Sequence, residues 1–258
     1  MYTRFFGFHE KPFQLVPNPA YLYLSRSHEE ALAHLAYAVD HGDGFVAVTG
    51  EVGTGKTTLC RAFLENLDAG VTAAYIFNPK LNGVQLLQSI NAEFNLPAAA
   101  SQIKELIDTL NTFLMAQKKS GRRVVIVIDE AQNLTQDVLE QLRLISNLET
   151  TQSKLLQIIL VGQPELDALL KSGEMRQLSQ RINLRAQIRP LAGQEIPAYI
   201  QHRLEVASGG DPLARFQPGA LGLIARVTGG TPRLINILCD RTLLAAYGHN
   251  QFIITGAM

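Results

Sequence analysis

Gly50-Glu51-Val52-Gly53-Thr54-Gly55-Lys56-Thr57 decides how this chain is read. The stretch fits G-x-x-x-x-G-K-[ST], a loop that cradles phosphate. Gly50, Gly53 and Gly55 lack Cβ, so the backbone can turn tightly and bring its N–H groups onto phosphate oxygens. Lys56 can place an ammonium between β- and γ-phosphates, and the Thr57 hydroxyl can ligate Mg²⁺. The flanks agree. Phe45-Val46-Ala47-Val48-Thr49 reads as a short buried strand, and Thr57 to Glu65 as a helix whose positive N-terminal end meets the phosphates. The phosphate-contacting run is Gly50, Glu51, Val52, Gly53, Thr54, Gly55, Lys56, Thr57 and Thr58.

Working outward from the loop, strands alternate with helices. Val71 to Phe77 reads as a second strand, followed by helices near 82–95 and 102–119, split by Leu96-Pro97. Arg123-Val124-Val125-Ile126-Val127-Ile128 is a near-continuous apolar run, the pattern of a parallel strand buried on both faces. A helix near 135–149 comes next. The apolar run Leu155 to Val161 then stops at Gly162-Gln163-Pro164. This alternation predicts an α/β sheet. Beyond about Leu191 only helical periodicity remains, at 194–207, 218–227 and 232–246, with breaks at Gly209-Gly210-Asp211-Pro212 and Gly229-Gly230. That part is expected to be a small helical second domain. Upstream of the loop, residues 1–25 are aromatic and proline-rich, which predicts extended chain and turns, and the aromatics of Met1 to His9 are expected to pack on the domain surface. Ser27 with Glu30 three residues on reads as a capping box opening a helix that carries Leu32, Leu35, Ala36 and Val39, before the Gly42-Asp43-Gly44 break.

Asp129 and Glu130 close the apolar strand that ends at Ile128. In a nucleotide site the first carboxylate would hold Mg²⁺ and the second would orient and polarise the attacking water. Gln163 ends the next apolar strand and could lie beside these carboxylates and feel the γ-phosphate. Arg176, Arg181, Arg185 and Arg189 form a cluster expected to lie after the core strands. One of them, with Arg181 the choice, could be a finger supplied to a neighbouring subunit. Arg233 follows Thr231 and Pro232, which suit the N-cap and first position of a helix. A cation in that first turn opposes the helix dipole, which suggests that it points to an anion such as the γ-phosphate. His28 is a candidate border of the nucleotide; the six histidines show no metal-ligand spacing. Lys118-Lys119-Ser120-Gly121-Arg122-Arg123 has no interleaved aromatics and reads as a solvated turn.

Composition sets limits. Net charge is zero, which gives no general pull toward nucleic acid or an anionic membrane. Residues 1–170 carry 13 Lys and Arg against 18 Asp and Glu, and residues 171–258 carry 10 against 5, so an acidic body joins a basic C-terminal part. Two cysteines, Cys60 and Cys239, lack motif spacing and read as core thiols of a reducing compartment. No window approaches the roughly 18 apolar residues of a membrane span. The N-terminus does not read as a signal peptide.

These residues resemble the AAA+ ATPases, and within them the ExeA/GspA-like secretion ATPases. The likeness rests on Phe5-Phe6-Gly7-Phe8 with Lys11-Pro12-Phe13, on Pro17-Asn18-Pro19 and Tyr23-Leu24-Ser25, and on His28-Glu29-Glu30-Ala31-Leu32. It continues through Gly50 to Arg61, Asp129-Glu130-Ala131-Gln132, Leu160-Val161-Gly162-Gln163-Pro164-Glu165-Leu166 and Gly229-Gly230-Thr231-Pro232-Arg233. The resemblance implies an ATPase core over 1–190 with an N-terminal extended segment, a helical lid over 191–258, ATP and Mg²⁺ as cofactors, and a ring-like homo-oligomer. It implies work on an envelope machine (type II secretion, type IV pili, or exosortase and polysaccharide export) in the cytoplasm, with recruitment to the inner membrane. Secretion members carry a transmembrane segment and a periplasmic region after the ATPase. This chain, ending at Phe252 to Met258, is expected to be a fragment of such a protein or a shorter relative. Gln163 stands where many AAA+ proteins have Asn, Thr or Ser. A DNA-associated ATPase such as a transposition helper shares the same core, and a nucleotide-gated scaffold without hydrolysis is a third possibility.

Overall fold

The computed structural model describes residues 1–42, 44–77, 80–149 and 154–257. Asp43 of the expected glycine break and the terminal Met258 lie outside them. In chain order the main elements are α1 (Tyr2–Phe5), α2 (Arg26–His41), β1 (Phe45–Gly50), α3 (Lys56–Glu65), β2 (Val71–Ile76), α4 (Gly83–Glu93) and α5 (Ile103–Lys119). They continue with β3 (Arg123–Ile128), α6 (Gln136–Ile145), β4 (Gln157–Gly162), α7 (Pro164–Lys171), α8 (Arg176–Ser179) and β5 (Ile182–Ile188). The last are α9 (Ile196–Ser208), β6 (Arg215–Phe216), α10 (Pro218–Thr228), α11 (Pro232–Gly248) and β7 (Ile253–Ile254). Contacts divide the chain into two compact units, one of residues 29–50 and 63–187, the other of residues 1–28, 51–62 and 188–258.

The first of these units is built on a sheet in the order β2-β3-β4-β1-β5. The pairs β2–β3, β3–β4 and β4–β1 are parallel, with Ile128 opposite Leu160 and Thr49 opposite Gly162. β4 is thus an additional strand between the one that leads into the phosphate loop and the one that ends at Asp129. Every residue of β1 and β4 is buried, as is all of β3 after Arg123. That explains their unbroken apolar sequences: both faces are covered, so no alternation is possible. Helices supply the cover. Leu106, Leu110 and Leu114 form one stripe of α5 at four-residue spacing, and Leu86, Leu87 and Ile90 come from α4. α4 starts with a full capping box, in which Asn82 Oδ1 accepts from the Gln85 N–H and Gln85 Oε1 accepts from the Asn82 N–H, each at 3.0 Å.

The other unit has a separate core. Helices α9, α10 and α11 contribute Ile200, Leu204, Ile224, Ile235, Cys239 and Leu243, and the N-terminal segment contributes Tyr2, Phe6, Phe8, Phe13 and Tyr21. Tyr2, Phe6 and Phe8, expected to pack on a domain surface, are therefore core residues. Large rings add apolar area to that of the three helices. Arg203 is buried here and needs partners. Its Nε donates to Pro12 O at 2.7 Å, its Nη2 donates to Gln14 O at 3.1 Å, and its guanidinium lies 4.8 Å from the Tyr21 ring centre. Both cysteines are buried and free, as their lack of spacing suggested.

Two expectations need correction. α2 opens at Arg26, so Ser27 is inside the helix and not its N-cap; the Ser27 hydroxyl instead accepts from the Arg189 N–H at 3.2 Å. The arginine cluster does not lie after the core strands. β5 runs through it, with Ile182, Ala186 and Ile188 buried and Asn183, Arg185 and Gln187 exposed. Polar residues on the outer face of this edge strand, Arg185 among them, hid a period of two.

Candidate nucleotide site

In open α/β sheets, ligands sit outside the C-terminal ends of the strands. Those ends carry the predicted residues. β1 delivers Gly50, β3 delivers Asp129 and Glu130, and β4 delivers Gly162 and Gln163, on neighbouring strands of one sheet.

On the carboxylate side, Asp129 is fully buried. Its Oδ2 accepts from the Tyr75 hydroxyl at 2.8 Å and its Oδ1 accepts from the Glu130 N–H at 2.8 Å. Glu130 sits in the left-handed region, at φ 56° and ψ 35°, which is costly for a residue with a Cβ. Its Oε2 accepts from Gln132 Nε2 at 2.6 Å and from Gln163 Nε2 at 3.2 Å. The Gln163 N–H donates to Gln132 Oε1 at 3.0 Å and closes the triangle. The structure therefore brings Glu130 and Gln163 together, and adds Gln132 and Tyr75, to which sequence reading gave no role. The signals were slight: a tyrosine in a largely apolar strand, and a glutamine two residues past the carboxylate. Gly162 leaves room for this triangle, since a Cβ there would stand 2.8 Å from Gln132 Oε1.

On the loop side, Gly53 and Gly55 have φ of +82° and +100°, a region that favours glycine. The carbonyls are engaged. Glu51 O accepts from Lys56 Nζ at 3.0 Å and from the Thr54 hydroxyl at 2.8 Å. Gly53 O accepts from the Arg233 N–H at 3.1 Å. Thr54 O lies 3.1 Å from His28 Nε2. α11 begins at Pro232 with Thr231 before it, as read, but the Thr231 hydroxyl makes no cap bond; the loop carbonyl takes up the orphan amide at Arg233 instead. A Cβ on Gly53 would stand 2.6 Å from Arg233 Cβ, so the glycine serves this close approach as well as the loop turn. His28 is buried, and burial pushes its imidazolium down in pKa, against the opposing pulls of the Thr54 carbonyl and the Glu195 charge.

The arginines differ in setting. Arg181 donates to Ser146 Oγ at 3.2 Å and to Asn147 Oδ1. Arg185 pairs with Asp167 at 3.0 Å and donates to Ser179 Oγ at 2.9 Å. Arg176, Arg189 and Arg233 are exposed. Among the described residues no group of three or more His, Cys, Asp or Glu is placed to hold a metal by itself. No helix among them is long and apolar enough to cross a membrane.

Comparison with known proteins matches this geometry. The family model described as "AAA domain" matches residues 39–170. General secretion pathway protein A of Aeromonas hydrophila is 50% identical over 252 residues, which is 97% of this chain and 46% of that protein, so the chain spans about half the length of that relative. The ADP form of the ORC2 protein of Aeropyrum pernix superposes with a TM-score of 0.71 at 18% identity, covering 97% of this chain and 71% of that one. Cdc6p of Pyrobaculum aerophilum also gives 0.71 at 18% identity, covering 94% of this chain and 67% of that one. At such identity the two structures speak for the fold alone. With a glycine loop at the end of β1, an Asp-Glu pair at the end of β3 and the additional strand β4 between them, the chain belongs to the AAA family of P-loop ATPases, in the branch that resembles general secretion pathway protein A.

Proposed function

We propose that this chain binds ATP with Mg²⁺ and hydrolyses it to ADP and phosphate. The observation that carries the reading is the hydrogen-bonded Glu130 at the C-terminal edge of the sheet, with Gln163 of the adjacent strand on its carboxylate. The loop fits a polyphosphate, because Gly53 and Gly55 adopt positive φ and its carbonyls at 51, 53 and 54 are taken up by protein donors. Gly50 to Thr58 would supply amides and the Thr57 hydroxyl, and Lys56 an ammonium. Thr57 and Asp129 are the residues that would hold Mg²⁺. One carboxylate and a hydroxyl suit an ion that keeps several waters and shares phosphate oxygens. Bound there, the ion would neutralise charge developing on those oxygens. Glu130 would orient and deprotonate the attacking water. Gln163 would report the γ-phosphate to it. Arg233, in the first turn of α11, would read the same phosphate in cis, and residues 191–258 would act as the lid. Hydrolysis would serve assembly of an envelope machine, which the sequence likeness to general secretion pathway protein A favours. The chain would work in the cytoplasm as a ring, recruited to the inner membrane.

Titration of a fluorescent ATP analogue with Mg²⁺ tests the binding step. The wild-type chain should bind, and Lys56→Ala should show no saturable binding. Wild-type affinity in Lys56→Ala would remove Lys56 from the phosphate site.

A further inference from the structure

A chain of hydrogen bonds reaches the phosphate loop from the segment that follows β5. The Arg189 N–H donates to Ser27 Oγ at 3.2 Å. Ser27 Oγ lies 3.2 Å from Ser25 Oγ, and Ser25 Oγ lies 2.6 Å from His28 Nδ1. His28 Nε2 lies 3.1 Å from Thr54 O. Ser25 and His28 are each 2% exposed, so water does not compete for the Ser25–His28 and His28–Thr54 contacts. The carbonyl end, with a neutral ring, fixes the direction of the protons. A backbone N–H can only donate and a backbone carbonyl can only accept. His28 Nε2 must therefore carry hydrogen, Nδ1 of the neutral ring must accept, and the Ser25 hydroxyl must donate to it. Ser25 Oγ is then left to accept from the Ser27 hydroxyl.

The far end of this relay acts on the loop through peptide geometry. In a planar trans peptide the C=O of one residue and the N–H of the next point in opposite directions. Arg233 shows the result one peptide earlier. Its N–H holds the Gly53 carbonyl, and the Thr54 N–H turns back into the loop onto Glu51 O at 3.3 Å. His28 does the same to the Thr54–Gly55 peptide. Its ring lies so near that a Cβ on Gly55 would stand 3.1 Å from Nε2.

We propose that His28 is a positioning residue for nucleotide binding: its Nε2–H holds the Thr54 carbonyl so that the Gly55 N–H faces the phosphates, and the Ser25 hydroxyl, donating to Nδ1, stabilises the tautomer able to do so. The proposal rests on the reading of Gly50 to Thr58 as an ATP site. In that site the Gly55 amide is one of the donors to phosphate, and a mis-set peptide would present an oxygen to an anion instead.

Two measurements test it. The first needs no nucleotide. The ¹⁵N spectrum of the His28 ring at neutral pH should show the neutral Nε2–H tautomer, and an Nδ1–H or charged ring would overturn the assignment. The second compares affinity for a fluorescent ATP analogue with Mg²⁺. His28→Phe keeps a ring without a donor and should bind about three- to tenfold more weakly, the worth of one net hydrogen bond. His28→Gln, whose amide reaches about as far as Nε2, should recover most of that loss. Equal affinity in all three proteins, or a glutamine variant as weak as the phenylalanine one, would overturn the role. If His28→Phe does not fold, Ser25→Ala carries the test. A mixed-tautomer spectrum with weakened binding supports the relay, and an unchanged spectrum and affinity overturn it. A wild-type chain that binds no analogue would sink the ATP reading, while the ring spectrum would still decide the latch.

Discussion

At the scale of the residue, Glu130 concentrates the chemistry. A left-handed backbone at a non-glycine residue costs on the order of 1–3 kcal/mol, and such strain persists where surrounding contacts over-determine it. Here Gln132, Gln163 and the Asp129 carboxylate that receives the Glu130 N–H do so. Glu130→Gln keeps the shape and can still accept from both amides through its own Oε1, but it cannot take a proton from water. We expect it to bind the ATP analogue with wild-type affinity and to release phosphate at least ~100-fold more slowly, the low end for loss of a general base. Phosphate release at the wild-type rate would move the role to another residue.

At the scale of the element, the start of α11 depends on a backbone-to-backbone fit. Gly230 O accepts from the Leu191 N–H at 2.9 Å, and a Cβ on Gly230 would stand 2.0 Å from Leu191 O. Gly229, beside it, also has positive φ, but a Cβ there would meet nothing within 4 Å. The two glycines therefore separate two costs. Gly229→Ala should lose only the left-handed penalty, about 1–2 kcal/mol. Gly230→Ala adds a clash with backbone that cannot rotate away, and should lose more than ~4 kcal/mol, the range of exceptional single substitutions. Urea unfolding followed by circular dichroism checks this. Equal losses in the two variants would mean that the Leu191 contact gives way easily. The same peptide pair anchors Arg233, whose N–H holds the Gly53 carbonyl, so Gly230→Ala should also weaken nucleotide binding.

At the scale of the molecule, the charge split between residues 1–170 and 171–258 favours head-to-tail packing, a basic part of one copy on the acidic body of the next. Such a heterologous contact can close a ring. Arg181 is the candidate to cross it, and its bonds to Ser146 and Asn147 hold it within its own chain. A trans role requires that it exchange these neutral partners for phosphate, a stronger charge-assisted contact. An arginine supplied this way is worth roughly 10³–10⁵ in rate. Hydrolysis per chain should rise with protein concentration and fall in high salt as the charged contact is screened. Mixing decides the matter. Arg181→Ala and Lys56→Ala should each be inactive, while a mixed assembly can pair an intact Arg181 with an intact Lys56 loop and regain activity. A mixture that stays inactive although both variants assemble would make Arg181 a structural residue of its own chain.

The sequence by itself determined the loop, the buried strands and the Asp-Glu pair. Each is written in consecutive residues: glycine spacing sets what a few peptides can do, and a short apolar run rich in Val and Ile such as Val124 to Ile128 is the pattern of a strand covered on both faces. The Pro232 start of α11 and the isolated cysteines were legible for the same local reason. Only tertiary structure decided what meets what. Strand order put Gln163 beside Glu130, although they lie far apart in sequence, and a turn of chain swung Gln132 back onto both. β5 escaped notice because its outer face is polar, and the N-terminal rings looked like surface until the helices took them as core. His28 was legible as a border of the nucleotide, but not as a donor to the loop. Its role rests on Ser25, Thr54 and a backbone amide at Arg189, and no local pattern records contacts that folding alone creates.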